Sequence, residues 1–420
     1  MTEVNLRLSN KLEAPIRAEK NWPAVVVGSV FQTGLNLMRD LQQKGVRAHG
    51  VDCFAENVGF ISRYGKSHLC PDPQTHPAEW VAFMKDLAQQ FDQKPVFIAA
   101  ADIFVSALGV HAAELADYYV FSPKSVAMQA MLTTKEKQYA LAQAHGFPCP
   151  RSVYVQSNEE LRTFAGAARF PCLLKPRQHQ EWESLPLGNP LHGKKVVSGN
   201  TLEDLLTLYG YTEGFHRGVV AQEFVPGGDD TKYCYLSVYG KNATRLGHCV
   251  VREFRAYPLV FGSASIVEPV VDEEIAEICD NFLQKISYEG LCEIEVKRDP
   301  RDGKIFLIEV NPRFSGTGDC ARFTGIDTGW LHYLDLIGQP VHPVKPTRFG
   351  FRHITLQRDL PSFPKYMGEK LLTFVGWIKS YTPPVVFWDM DWTDPLVTIK
   401  NLYRSVRGCV GNLLRYWRLR

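Results

Sequence analysis

At 420 residues the chain exceeds what one ordinary hydrophobic core organises, so two or three domains are expected. Its 45% hydrophobic and 22% charged content is that of a soluble globular protein, and a net charge of +2 excludes a global field drawing it to nucleic acid. Ten cysteines without a C-x-x-C pair, behind a polar leader (1–20) lacking an apolar core, point to reduced thiols in a cytoplasmic protein, and no run reaches the ~18 apolar residues of a membrane span.

In chain order, AVVVGS (24–29) reads as a short buried strand that turns into GLNLMRDLQQKG (34–45), a helix ended by Gly45. VRAHGVD gives a second strand finishing at Asp52, and PVFIAAAD (95–102) another, so strands alternating with helices predict a parallel α/β sheet over 21–122. TKEKQYALAQAHG (134–146) is a helix closed by Gly146. PCLLKP is a strand ending at Lys175, ahead of a polar loop from Arg177 to Gly193. GVVAQEFVPGG and TKYCYLSVYG read as antiparallel strands, and CEIEVK and KIFLIEVN form a hairpin about the turn RDPRDG. An α+β region thus spans 123–335, and 336–420 is an aromatic, Pro-interrupted cap with a helical tail.

The hairpin carries acids inside apolar runs. Alternation puts Glu309 and Asn311 on one face, and an odd-membered loop would set Glu295 across from Glu309. Opposed carboxylates repel, at a cost of a few tenths to about 1 kcal/mol, and a divalent cation reverses that sign. Magnesium takes hard oxygen ligands, so two acids and an amide oxygen suit it; the plainer alternative is a half-exposed hairpin whose acids face water. Asn311-Pro312-Arg313 then brings a guanidinium beside the acids, and Gly316 and Gly318 permit close backbone approach. Cation, phosphate and arginine together describe a phosphoryl-transfer site.

IFLIEVNPRFSG resembles the metal-binding strand of the ATP-grasp superfamily, and the chain from 24 to 330 is similar in order and spacing. LTTKEKQYALAQAHGFPCP resembles the segment whose lysine, here Lys135, meets phosphate, with Thr134 in place of the usual acid. PCLLKP resembles the strand of a second phosphate lysine, Lys175, and HGKKVV the end of the mobile loop, with Lys194 or Lys195 reaching phosphate. AQEFVPGGDD resembles the hinge strand whose backbone edge pairs with adenine, around Gln222, Glu223 and Val225. REFRAYPLVFGSAS resembles the arginine-bearing strand of relatives near carbamoyl-phosphate synthase and D-aspartate ligase. Arg252 and Arg255 lie three apart, so one faces the site unless a bulge intervenes; Arg255 is favoured.

The resemblance implies a Rossmann-like lead domain (21–122), a two-lobed ATP-grasp domain (123–335) and a C-terminal cap (336–420). It further implies ATP with Mg2+ or Mn2+ held by Glu295, Glu309 and Asn311, phosphates on Lys135 and Lys175, and Arg313 with Arg255 stabilising an acyl phosphate. The expected activity is ligation of a small-molecule carboxylate to an amine, with release of ADP and phosphate. The alternatives are a carboxylase or synthetase with another nucleophile, a non-catalytic nucleotide-binding module, and an NAD enzyme. GSVFQTG and Asp52 mimic a dinucleotide site, but Gly28 and Gly34 lack the G-x-G-x-x-G spacing. Asp102 either faces the acceptor substrate or caps a helix. The acid-free tail groups Lys400, Arg404, Arg407, Arg415 and Arg418 on one arc, with Leu402, Val406, Val410, Leu413 and Trp417 opposite. That pattern fits either peripheral membrane contact through 396–420 or packing on the protein's own core.

Overall fold

The computed structural model describes residues 23–418, apart from 177–180, 183–184, 195, 214–217 and 260–261. The leader, part of the Arg177–Gly193 loop, Lys195, and the side chains of Trp417 and Arg418 therefore lie outside the described residues.

Three sheets organise the chain. The first is parallel, built from β1 (Val25–Gly28), β2 (Ala48–Asp52), β3 (Lys66–Leu69) and β4 (Val96–Ala99) in the order β3-β2-β1-β4. Every residue of β1 is buried, as an unbroken valine run with both faces covered requires. The edge strand β3, sequence KSHL, has no apolar alternation and was invisible to pattern reading. Gly34 is explained by packing: a Cβ there would stand 1.9 Å from the Ser29 carbonyl oxygen. Asp52 is also consumed locally, accepting from Ser29 Oγ at 3.1 Å, the Val30 N–H at 2.8 Å and Asn57 Nδ2 at 2.7 Å. Glycine and acid alike thus serve the turn and leave no ribose partner.

The second sheet is antiparallel: β5 (Ser152–Val155), β6 (Cys172–Lys175), β7 (Val197–Gly199) and β8 (Val219–Glu223), ordered β5-β8-β6-β7. The third and largest contains β9 (Lys232–Gly240), β10 (Thr244–Tyr257), β11 (Ser263–Val270), β12 (Gly290–Arg298), β13 (Ile305–Asn311), β14 (Arg352–Ile354) and β15 (Val385–Phe387). Its order is β13-β12-β9-β10-β11-β14-β15. GVVAQEFVPGG and TKYCYLSVYG are thus both antiparallel strands, but of different sheets. Residues 336–420 contribute β14 and β15, so the large sheet runs through the boundary expected at 335.

One face of this sheet is a packed core. Tyr235, Tyr239, Ile294, Val296, Leu307 and Val310 meet Ile275, Cys279, Phe282 and Leu283 of helix Glu273–Lys285. Leu307 and Val310 are three apart yet share that face, which regular alternation forbids. The reason is a one-residue bulge at Ile308: Val296 pairs with Leu307, whereas Glu295 pairs with Glu309. The expected opposition of Glu295 and Glu309 is therefore present, but the bulge produces it; the six-residue connection 299–304 does not.

Candidate active site

With the core on one side, alternation commits the other face of the hairpin to polar groups. Glu295 stands opposite Glu309, and Glu293, absent from the sequence reading, stands opposite Asn311. Asn311 Nδ2 donates to Glu293 Oε1 at 3.0 Å and to Glu295 Oε1 at 3.2 Å, bridging the two acids. Ser315 Oγ donates to Glu293 at 2.8 Å, and the Thr317 hydroxyl also reaches it. Burial raises the pKa of Glu293, and burial with the charges of Glu309 and Glu293 lifts Glu295 to about 8. Such a cluster is short of positive charge.

Lys135 supplies part of it. It is the first residue of helix Lys135–Ala144, and its Nζ lies 3.3 Å from Glu309 Oε1. Desolvation opposes its charge most strongly, but Glu309, Tyr139 and Glu295 together outweigh this and leave its pKa above the usual lysine value. Lys175, at the end of β6, donates to Gln222 Oε1 at 2.8 Å; burial and the neighbouring Lys135 push its pKa down to about 7. Gln222 in turn donates to Tyr139 Oη at 3.0 Å and Ser152 Oγ at 2.8 Å, tying the small sheet to the Lys135 helix.

The residues expected at the adenine edge, Gln222, Glu223 and Val225, lie in and just beyond β8. β8 is an interior strand, with Gln222 registered against both Ser152 and Leu173, and Glu223 donates its N–H to Arg151 O at 2.9 Å. Gln222 and the Glu223 N–H are thus engaged within the sheet. Val225, buried, lies beyond these pairs. The Glu223 carboxylate is likewise engaged, accepting from the Arg169 N–H at 2.8 Å.

Arg313 reaches across to the first sheet's side of the cleft. Its Nε and Nη2 clamp Asp102 at 2.7 and 3.1 Å, and Nη2 also donates to Asn311 Oδ1 at 3.0 Å. Asp102 opens helix Asp102–Leu115, yet its side chain serves Arg313. Arg255, expected beside the acyl phosphate, is engaged within the protein. Only 2% exposed, it donates through Nη1 to both carboxylate oxygens of Asp359, at 2.8 and 3.0 Å, and through Nη2 to Ser380 Oγ at 2.9 Å. A bulge in β10 between Glu253 and Arg255 lets it serve this internal ion pair. Arg252 pairs with Glu268.

A second arginine escaped notice because it lies in the cap. Arg358 donates to Ala264 O at 3.1 Å and lies 5.6 Å from the Trp388 ring centroid; burial lowers its pKa, opposed first by Asp389 and then by Glu253 and Glu293. Trp388 in turn approaches Gly316, so the cap walls the glycine turn that follows Arg313.

Among the described residues no three His, Cys, Asp or Glu side chains converge on a common point. The predicted trio Glu295, Glu309 and Asn311 shares a face, with the Asn311 carbonyl oxygen turned to Arg313. The donor chemistry nonetheless fits a hard divalent ion: oxygen donors throughout, and opposed acids that repel without a cation.

No family model matches the chain. A D-aspartate ligase of Enterococcus faecium (strain Aus0004) is 27% identical over 233 residues, covering 53% of each chain. A formate-dependent phosphoribosylglycinamide formyltransferase of Bacteroides fragilis is 24% identical over 261 residues, 60% of this chain and 63% of that one. The arginine-specific carbamoyl phosphate synthase large chain of Geobacillus stearothermophilus is 25% identical over 244 residues, but only 22% of its length is spanned. The chain thus spans less than two thirds of these curated relatives. Among solved structures, an ADP complex of purK, an N5-carboxyaminoimidazole ribonucleotide synthetase, aligns with TM-score 0.60 at 12% identity, over 78% of this chain and 80% of that one. An L-amino acid ligase of Bacillus licheniformis aligns with TM-score 0.55 at 15% identity, over 76% and 75%. At such identities these two likenesses speak for the fold alone.

Proposed function

We propose, from the premise that this chain is an ATP-grasp protein, that it joins a small-molecule carboxylate to an amine at the expense of ATP. The observation that carries this is the opposed pair Glu295 and Glu309 with Lys135 at 3.3 Å, on the face the hairpin leaves free. Attack of a carboxylate on polyanionic ATP is repulsive, so the site must neutralise charge and align the partners; no covalent protein nucleophile is needed. Lys135 and Lys175 receive phosphate oxygens, and a phosphate at Lys175 replaces Gln222 as its partner. Arg313, released from Asp102, holds the acyl phosphate formed when the carboxylate oxygen takes the γ-phosphoryl group. ADP leaves with the bridging oxygen in that first step; the neutral amine nitrogen then attacks the acyl carbon, phosphate leaves, a proton passes from the nitrogen to solvent, and the amide remains. Glu295 and Glu309, with Glu293 behind them and the Asn311 amide between, are the residues that would hold magnesium, whose chemistry there is to screen phosphate charge.

The same reading assigns 21–122 as a Rossmann-like lead domain, 123–335 as the ATP-grasp domain and 336–420 as a cap whose two strands complete its sheet. It places Val225 at the adenine and the reaction in the cytoplasm, where ATP is supplied. The test is ADP release with MgATP across pooled amino acids and amines, with and without candidate carboxylates. Release that requires both substrates and is lost in Glu309→Gln supports the ligase. MgATP binding without release in any pool favours a non-catalytic module, and absence of MgATP binding overturns the reading.

A further inference from the structure

Helix Pro395–Arg418 packs by its small, polar side. Thr398, Asn401 and Ser405 are buried; Asn401 Nδ2 donates to Gln32 Oε1 and Asp389 O, both at 2.8 Å. Further along, a Cβ on Gly408 would come within 2.8 Å of Pro361, and Asn412 Nδ2 donates to Tyr257 Oη at 2.6 Å. The apolar residues point the other way. Leu396, Ile399, Tyr403, Val406, Val410 and Leu414 are between 48% and 65% exposed. At 100° per residue they fill an arc of about 80°, centred opposite Asn401. An ordinary surface helix buries its apolar stripe, and this one presents it to solvent.

Charge says what covers the stripe. No acid occurs after Asp394. Lys400, Arg404, Arg407 and Arg415 follow one flank of the stripe, with Lys400 and Arg404 also reaching the Glu56 carbonyl oxygen and Arg407 and Arg415 exposed. A second copy of the chain would bring the same basic flank against it. A surface of lipid phosphates offers the complementary charge, and its acyl boundary takes up the stripe. No described helix is long and apolar enough to cross a membrane, so the helix would lie in the plane of the interface.

We propose that helix Pro395–Arg418 docks the protein peripherally on an anionic lipid surface, with the Leu396–Leu414 stripe in the headgroup–acyl boundary and Arg407 and Arg415 on lipid phosphates. The test is co-sedimentation of the full chain with phosphatidylcholine vesicles and with vesicles containing phosphatidylglycerol. Binding to the anionic vesicles, weakened at least tenfold or so by Ile399→Gln with Val410→Gln, is expected. Arg407→Gln with Arg415→Gln should lose about fivefold per arginine and flatten the salt dependence. Both variants change exposed side chains, and unchanged melting curves confirm that the fold is retained. Equal binding to both vesicle types, or binding to neither, overturns the proposal. So does a concentration-dependent dimer that Ile399→Gln with Val410→Gln dissolves, since the stripe then belongs to a second copy.

Discussion

A phosphate arriving at Lys175 meets an amine that is half deprotonated at neutral pH, because its pKa is about 7. The phosphate's charge raises that pKa, so binding takes up a proton. The Lys175 contribution to nucleotide affinity, taken as the difference from Lys175→Met, should be level below about pH 7 and fall by up to tenfold per pH unit above it, until the raised pKa is passed. Titration calorimetry of both proteins across that range measures the slope, and a flat difference would remove Lys175 from the phosphates. Arg313 offers a second test. Its partner Asp102 is half-exposed, so Arg313→Met should leave melting nearly unchanged while lowering the rate of ADP release roughly 10²- to 10³-fold. An equal loss of stability and rate would make it structural. Much of this cluster was legible in the sequence, since Glu309 and Asn311 follow one another along a single strand and Arg313 comes two residues after its end. Glu293 could have been found the same way, two residues before Glu295 on the same face. Arg358 could not, because nothing local ties a cap helix to a hairpin some fifty residues earlier.

At the scale of elements, strands and helices with strong patterning were readable, and irregularities were not. The bulge at Ile308 turns Leu307 and Val310 to the same face, and no residue preference in IFLIEVN announces it. The bulge in β10 likewise decides where Arg255 goes. That arginine and Asp359 join β10 to helix Leu356–Gly368, both side chains nearly inaccessible to water. Removing one partner strands a buried charge. Arg255→Met should therefore cost about 3–5 kcal/mol in urea unfolding, whereas Arg255→Met with Asp359→Asn, which removes the charge but keeps an acceptor for Ser265, Trp377 and Tyr381, should recover part of it. If Arg255→Met leaves stability intact and instead abolishes turnover, the arginine belongs to the chemistry after all.

Over the whole molecule, the two ends of the described chain are locked together. Arg39, in helix Gln32–Gln43, is 5% exposed and pairs with Asp394 at 2.7 Å; Asn36 Nδ2 from the same helix donates to Trp388 O at 3.0 Å. Asp394→Ala should destabilise the first sheet by about 3–5 kcal/mol, read as earlier hydrogen exchange in β1 and β2 with the β12–β13 hairpin still protected. Simultaneous loss of protection everywhere would mean that the sheets unfold as one unit. Domain boundaries drawn along the sequence miss this connection, because polar contacts across 355 residues leave no local pattern. The lock also has a consequence for biosynthesis. At roughly 5–20 residues per second, Asp394 is made about 20–70 seconds after Arg39. For that interval the helix that covers the first sheet carries a guanidinium without its acid, on a surface built to be closed. The segment that carries the first sheet must therefore wait, unlocked, until the segment bearing Asp394 has been translated.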